Sequence, residues 1–204
     1  ILHSSKSVAE LIANTTVKRT VLFNKLKQAS YVNLIRKEGK KYVFNNKIWP
    51  ELHSFLTELK RYEQNVDSRV PAGSTIYYKS DSEIVFSSKV KCDATPTGFS
   101  VFDDFGIKIY NIDYMYYLPN KKLTIPDIFL HLLYRLKKED TISNKLLISL
   151  YYLKYKSKLS GFKNSFIENI NNILQGESIA TYPSRNEILD RAKQYNIEVD
   201  KNDF

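Results

Sequence analysis

The first 62 residues follow an order of local patterns that few folds accommodate. Residues 7–14 repeat apolar side chains at helical spacing, and Ser7 can cap the helix that they predict. Thr15 and Thr16 interrupt this helix and offer a second N-cap. Residues 17–29 repeat apolar side chains at the same spacing, with lysine and arginine between them, and predict a second helix.

A predicted hairpin and a further helix complete this region. Residues 31–36 and 41–44 are β-prone, and the segment between them contains Gly39 and a charged tip, as expected of a turn. Residues 49–62 then predict a helix that begins at Trp49-Pro50. One face of this helix carries Leu52, Phe55, Leu56 and Leu59.

Positive charge is concentrated in the same region. Residues 1–62 contain 12 Lys and Arg against 4 Asp and Glu, whereas residues 63–123 contain 7 against 8. Residues 124–204 contain 12 against 10, so the first third holds nearly all of the net charge of +9. A basic domain joined to a nearly neutral one is the charge distribution expected of a nucleic-acid-binding protein.

The rest of the chain predicts a second domain. Residues 63–73, with Pro71 and Gly73, are interpreted as a linker, and residues 74–204 as an α+β domain for dimerisation, partner binding or effector binding. Strands are expected at 76–79, 83–87, 107–109 and 114–118, a short helix near Pro96 within 94–102, and helices at 124–138, 143–157, 164–174 and 184–195. The predicted fold class is α+β, with an N-terminal winged helix-turn-helix, a small β-sheet and a C-terminal helical segment.

The second helix and the hairpin supply the candidate DNA-binding residues. A helix enters the major groove, where side chains in its N-terminal half meet base edges, and a basic hairpin lies along the phosphates. We expect base contacts from the helix and phosphate contacts from the hairpin. A solvated lysine face on an ordinary helical domain remains the alternative. The candidates are Lys18, Arg19, Thr20, Asn24, Lys25, Arg36, Lys37, Lys40 and Lys41.

The segments Ser7-Val8-Ala9-Glu10-Leu11-Ile12-Ala13, Ala29-Ser30-Tyr31-Val32 and Glu38-Gly39-Lys40-Lys41-Tyr42 resemble bacterial and archaeal winged-helix transcriptional regulators. The resemblance covers about residues 1–60. It implies a homodimer that binds double-stranded DNA sequence-specifically and represses transcription. It also implies that Leu2 closes the first of three helices, most of which precedes Ile1.

A second resemblance concerns the remainder of the chain. Ala94-Thr95-Pro96-Thr97-Gly98-Phe99-Ser100, then Tyr116-Tyr117 and residues 123–133, resemble the C-terminal part of the abortive-infection (AbiEi-like) antitoxins. This resemblance implies the alternative function, an antitoxin of a type IV toxin–antitoxin pair that represses its own operon and counteracts a nucleotidyltransferase toxin. A regulator that senses a small effector is a third possibility.

No pattern of catalytic or metal-binding residues is found in the sequence. His3, His53 and His131 are isolated, and Cys92 has no histidine at ligand spacing. Asp103-Asp104 are adjacent, so on a strand they would point to opposite faces; a turn is expected there instead. We therefore expect no enzyme activity, no cofactor and no metal.

Compartment and further partners follow from two observations. One cysteine and no apolar run of about 20 residues indicate a cytoplasmic protein without a membrane span. Residues 141–163 contain five lysines and no acidic residue, which predicts an extended DNA footprint, a docking site for an acidic protein or merely a solvated helix end.

Overall fold

The computed structural model describes residues 5–15, 17–110 and 113–199. Over these residues the chain is an α+β protein with seven α-helices and two antiparallel sheets. It divides into two compact units, Ile1–Asn65 (unit 1) and Val66–Phe204 (unit 2). Leu2, His3 and Thr16, on which expectations were placed, lie outside the described residues.

Unit 1 consists of two helices, a three-stranded sheet and a third helix. In chain order its elements are β1 (Lys6–Ser7), α1 (Val8–Ala13), α2 (Arg19–Tyr31), β2 (Ile35–Glu38), β3 (Lys41–Phe44) and α3 (Pro50–Asn65). The sheet order is β1-β3-β2, and both pairings are antiparallel. Strand β1 was not predicted from the sequence, whereas the predicted capping of α1 by Ser7 is present as a capping box with Glu10.

Helix α2 is displaced toward the C-terminus relative to its predicted range. It begins at Arg19 rather than Val17, and its N-cap, Lys18, makes no side-chain capping bond. It continues to Tyr31, so the strand expected to begin there begins only at Ile35. Asn33 follows the helix with a φ of 54°, and asparagine is one of the few side chains that tolerate this left-handed conformation at a helix end.

The core of unit 1 is small. Leu11, Leu26 and Ile35 are buried and pack together, one from each of α1, α2 and β2. Helix α3 buries none of its described side chains, although His53 lies half-buried beside the Phe44 ring, with the ring centroids 5.2 Å apart. The helix extends to Asn65 and so includes three residues that were assigned to the linker.

A four-stranded antiparallel sheet organises the first half of unit 2. Its strands are β4 (Thr75–Lys79), β5 (Ile84–Ser88), β6 (Thr95–Pro96) and β7 (Tyr114–Leu118), in the order β4-β5-β7-β6. All five residues of β5 are buried, because the strand is central and covered on both faces. One face packs Ile84 and Phe86, and the other packs Val85 with Met115 and with Tyr134 of the following helix.

Two expectations for this half of unit 2 are corrected. Residues 107–109 form no strand; Ile107 is instead fully buried against the helical core, and its amide donates to the carbonyl of Phe102. The alternation of apolar residues at 107–109 therefore reflects packing against the core and not pairing in a sheet. Residues 94–102 contain the short strand β6 followed by a 3-10 helix at Gly98–Val101, so the helix expected near Pro96 is a single tight turn.

Four α-helices make up the rest of unit 2: α4 (Ile125–Lys138), α5 (Ile142–Lys154), α6 (Ser165–Leu174) and α7 (Arg185–Gln194). Thr124 caps α4 and Ser184 caps α7, so both helices begin where they were predicted to begin. Helix α5 ends three residues before the predicted Ser157, and a 3-10 turn at Lys156–Leu159 follows. No described helix is both long enough and apolar enough to cross a membrane.

Candidate nucleic-acid interface

Helix α2 is held in unit 1 by one apolar face. Leu26 is buried against Leu11 and Ile35, and Leu22 and Ala29 pack beside them. These α2 residues recur at helical spacing, so they fix which side of the helix faces the core. The remaining side chains of α2 are exposed.

The outward face of α2 follows from this geometry, because successive helical residues turn by about 100°. Thr20, Asn24, Lys27 and Tyr31 lie on the side opposite the core and are all exposed, with Tyr31 at 88%. Thr20 and Asn24 were predicted site residues. Lys27 and Tyr31 were missed, although their helical phase relative to the buried leucines would have revealed them.

The other predicted α2 residues project closer to the core-facing side of the helix than to this outward face. Lys18 precedes the helix and Arg19 begins it, and both are exposed. The Arg19 guanidinium lies over the Phe23 ring, 5.6 Å from its centroid, one turn along the helix. Lys25 is exposed but directed to one side of the core face. The chain contains no acidic residue from Leu11 to Lys37, so no carboxylate of this segment offsets the charge of its lysines and arginines.

The hairpin of β2 and β3 presents its basic residues on two faces. Glu38 pairs with Lys41 at the end of the ladder, and the loop of Gly39 and Lys40 joins them. Gly39 has a φ of 59°, as required at the first position of a two-residue hairpin loop of type II′. Arg36 forms an ion pair with Glu38 at 2.8 Å, because residues two apart on a strand share a face. The unpaired positive charge of the hairpin therefore lies chiefly on its lysines.

Strand β1 adds a lysine that the sequence analysis did not include. Lys6 and Lys37 both lie directly opposite Tyr42, one on each side of it. Opposed residues of antiparallel strands project from the same face. This face also carries Ile35, which packs against α2, so Lys6 and Lys37 lie on the side of the sheet that α2 covers. Only the pairing of β1 with β3, which has no local sequence signal, brings them together.

The acidic groups near this surface are engaged within the protein. Hydrogen bonds from the backbone and side chain of Ser7 lower the pKa of Glu10, which accepts the Ser7 amide at 2.7 Å. Glu38 is held by Arg36. The surface of α2 and the hairpin can therefore neutralise a polyanion without a competing carboxylate on the outward face of α2.

Among the described residues, no group of three or more His, Cys, Asp or Glu side chains could hold a metal ion. His131 is buried, with its Nδ1 2.8 Å from the Thr97 hydroxyl, and desolvation lowers its pKa to about 4. Cys92 lies outside the strands, half-buried, and donates to the carbonyl of Val90 at 3.2 Å. Asp103 and Asp104 are exposed in a 3-10 turn that ends at Gly106.

The basic segment 141–163 is not a uniform surface. Lys145 is only 3% exposed, and its ammonium donates to the Thr181 carbonyl at 2.8 Å and pairs with Asp140 at 2.7 Å. Lys154 donates to the carbonyl of Phe105 at 2.6 Å. Lys145 and Lys154 thus bond to carbonyls of unit 2, and Lys158 lies over the Tyr155 ring, 5.8 Å from its centroid, so the lysines of this segment do not form one uniformly solvated face.

Comparison of the chain with protein-family models, curated proteins and solved structures found no match in any of the three.

Proposed function

We propose that this chain is a sequence-specific DNA-binding transcriptional regulator that acts as a repressor, with unit 1 as a winged helix-turn-helix. In this assignment α1 and α2 form the helix-turn-helix, α2 enters the major groove, and the hairpin of β2 and β3 is the wing. The order of elements and the sheet order β1-β3-β2 are compatible with it. The main supporting observation is that α2 exposes a polar and basic face free of carboxylates, with the basic hairpin beside it.

Two kinds of contact to DNA would supply affinity and specificity. Lys25, Lys37, Lys40 and Lys41 would neutralise phosphates, which supplies most of the affinity and a steep dependence on salt. Thr20, Asn24 and Lys27 would read base edges, with Arg19 at the helix start. An asparagine can bond adenine through two hydrogen bonds, and such a pair discriminates by about 1–3 kcal/mol.

Repression would result from occupation of a promoter. A homodimer would place two copies of α2 in successive major grooves, and its operator would contain two half-sites about one helical turn apart. We expect this arrangement because a symmetric protein reads a symmetric site.

Fluorescence anisotropy tests the proposal directly. Binding to the DNA upstream of the chain's own gene is compared with binding to a scrambled sequence at two salt concentrations. Asn24→Ala and Arg19→Ala should reduce the preference for the upstream DNA, whereas Lys25→Ala should weaken binding to both DNAs equally. Lys193→Ala, an exposed lysine of unit 2, is the matched control and should change neither. Equal, weak binding of wild type to both DNAs would refute sequence-specific recognition.

A further inference from the structure

Helix α3 carries an apolar stripe, which we define as Leu52, Phe55, Leu59 and Tyr62; Leu52 is half-buried and the other three are exposed. Phe55 is 61% exposed, Tyr62 64% and Leu59 38%. These residues recur at intervals of three and four, so they form one continuous line along the helix. The exposure is notable because a helix of this length gains most of its stability from burying such a line.

The side of α3 that contacts the rest of unit 1 is not the side that carries the stripe. His53 lies against Phe44, and the amides of Trp49 and Ile48 bond to the Asn45 carbonyl at the start of the helix. His53 projects about 160° away from Phe55 around the helix axis. The stripe therefore faces away from this contact.

The charges beside the stripe indicate which kind of surface would cover it. Glu51 and Glu58 lie along one edge and Glu63 along the other, in a unit that is otherwise strongly basic. Phosphate groups of DNA or of anionic lipids would be repelled by these carboxylates. The stripe is thus suited to a protein surface.

A second copy of α3 fits the stripe when the two helices run antiparallel. Leu52 then faces the partner's Tyr62, and Phe55 faces the partner's Leu59. A large ring meets a leucine at every level, and the two-fold symmetry repeats each contact. Leu56, 37% exposed at the edge of the stripe, meets the partner's Leu56 near the two-fold axis.

The charges favour this direction over the parallel one. In a parallel pair, Glu58 would lie against the partner's Glu63 on both sides of the interface. In the antiparallel pair, each edge of the stripe meets the same edge of the partner, so Glu63 lies beside neither Glu51 nor Glu58 of the partner. The remaining like-charge contact is Glu58 with the partner's Glu58, and Arg61 of the same helix lies 3.9 Å from Glu58.

We propose that this chain forms a two-fold homodimer in which the α3 stripes of two copies pack antiparallel, with Phe55 against the partner's Leu59. The homodimer deepens the regulator proposal. Its link to an operator with two half-sites rests on that proposal. The self-association is measured without DNA, so either proposal can fail alone. The stripe is short, so the dissociation constant should be about micromolar.

Sedimentation equilibrium of the full chain from 1 to 100 µM is the primary test. Wild type should dimerise, and Phe55→Ala should weaken the dimer at least about tenfold. Tyr31→Ala, which removes an equally exposed ring from α2, is the matched control and should leave the dimer unchanged. Circular dichroism verifies that each variant remains folded. A monomer at 100 µM, or equal effects of both variants, overturns the proposal.

Charge removal and cross-linking then test the register. Glu63→Gln should leave the dimer unchanged, because Glu63 meets no carboxylate of the partner in the antiparallel pair. Glu58→Gln should strengthen it. In a Cys92→Ser background, a mixture of Phe55→Cys and Leu59→Cys chains should form the mixed disulfide. Disulfides between two copies of Phe55→Cys in preference to the mixed product would indicate parallel packing and overturn the proposal.

Discussion

The buried imidazole of His131 should make unit 2 sensitive to mild acid. The ring is 4% exposed, bonded to Thr97 and stacked on Tyr117 with centroids 4.9 Å apart. Desolvation lowers its pKa from 6.5 to about 4, although Asp127 and Glu83 oppose the shift. The His131 ring is therefore neutral in the folded protein above about pH 4.

The magnitude follows from proton linkage. Between pH 6.5 and 4 the unfolded chain binds a proton at His131 that the folded chain does not, so the free energy of unfolding falls as the pH is lowered. From pH 7.5 to 4.5 the loss from this group is about 2.5 kcal/mol. Asp67 and Asp127, whose pKa values are lowered, add a loss of the same sign in more acidic solution.

Urea denaturation at the two pH values measures this loss, with His131→Asn as the variant. Asparagine retains a polar atom that can bond to Thr97 near the position of Nδ1, and it does not titrate. Between pH 7.5 and 4.5 the free energy of unfolding of the variant should therefore fall by about 2.5 kcal/mol less than that of wild type. Twelve of the 15 tyrosines lie in unit 2, so the tyrosine signal in near-ultraviolet circular dichroism should report mainly unit 2. Equal pH dependence of both proteins, or an NMR titration of His131 near its ordinary pKa, would refute the reasoning.

Three further predictions test other parts of the molecule. Gly98→Ala should destabilise unit 2 by more than Gly106→Ala in urea denaturation, because both glycines have positive φ but only the first is also packed against a methionine side chain. Lys145→Ala should cost about 3 kcal/mol and Lys145→Met less, since methionine retains the buried stem; equal losses would show that the ammonium bonds dominate. Lys40→Ala should lower the slope of log affinity against log salt for DNA by about 0.9, and Lys193→Ala should leave it unchanged.

The helices of unit 2 were predictable because their boundaries are encoded locally. Thr124 with Asp127 and Ser184 with Glu187 form capping boxes within four residues of sequence. Strand β1 was not predictable, because two residues acquire their conformation only by pairing with β3. The true start of β2 depends on Asn33, whose left-handed conformation ends α2.

The candidate site was predictable in part, for a similar reason. The basic character of α2 and the hairpin is visible in the sequence, and so is the phase that places Lys27 outward. The ion pair of Arg36 with Glu38 could also have been foreseen from their spacing on one strand. By contrast, nothing local shows that Lys145 is buried, because its partner Thr181 is 36 residues away.

The small core of unit 1 makes its stability depend on what covers α3. Few large side chains are buried there, so an interface that buries the α3 stripe would stabilise the folded unit by mass action. Each tenfold rise in chain concentration should then add about 1.4 kcal/mol per mole of dimer to the apparent free energy of unfolding. Trp49, one residue before α3, should report this by fluorescence. Phe55→Ala should remove the concentration dependence, and a wild-type melting temperature that does not change with concentration would show that the stripe is left uncovered.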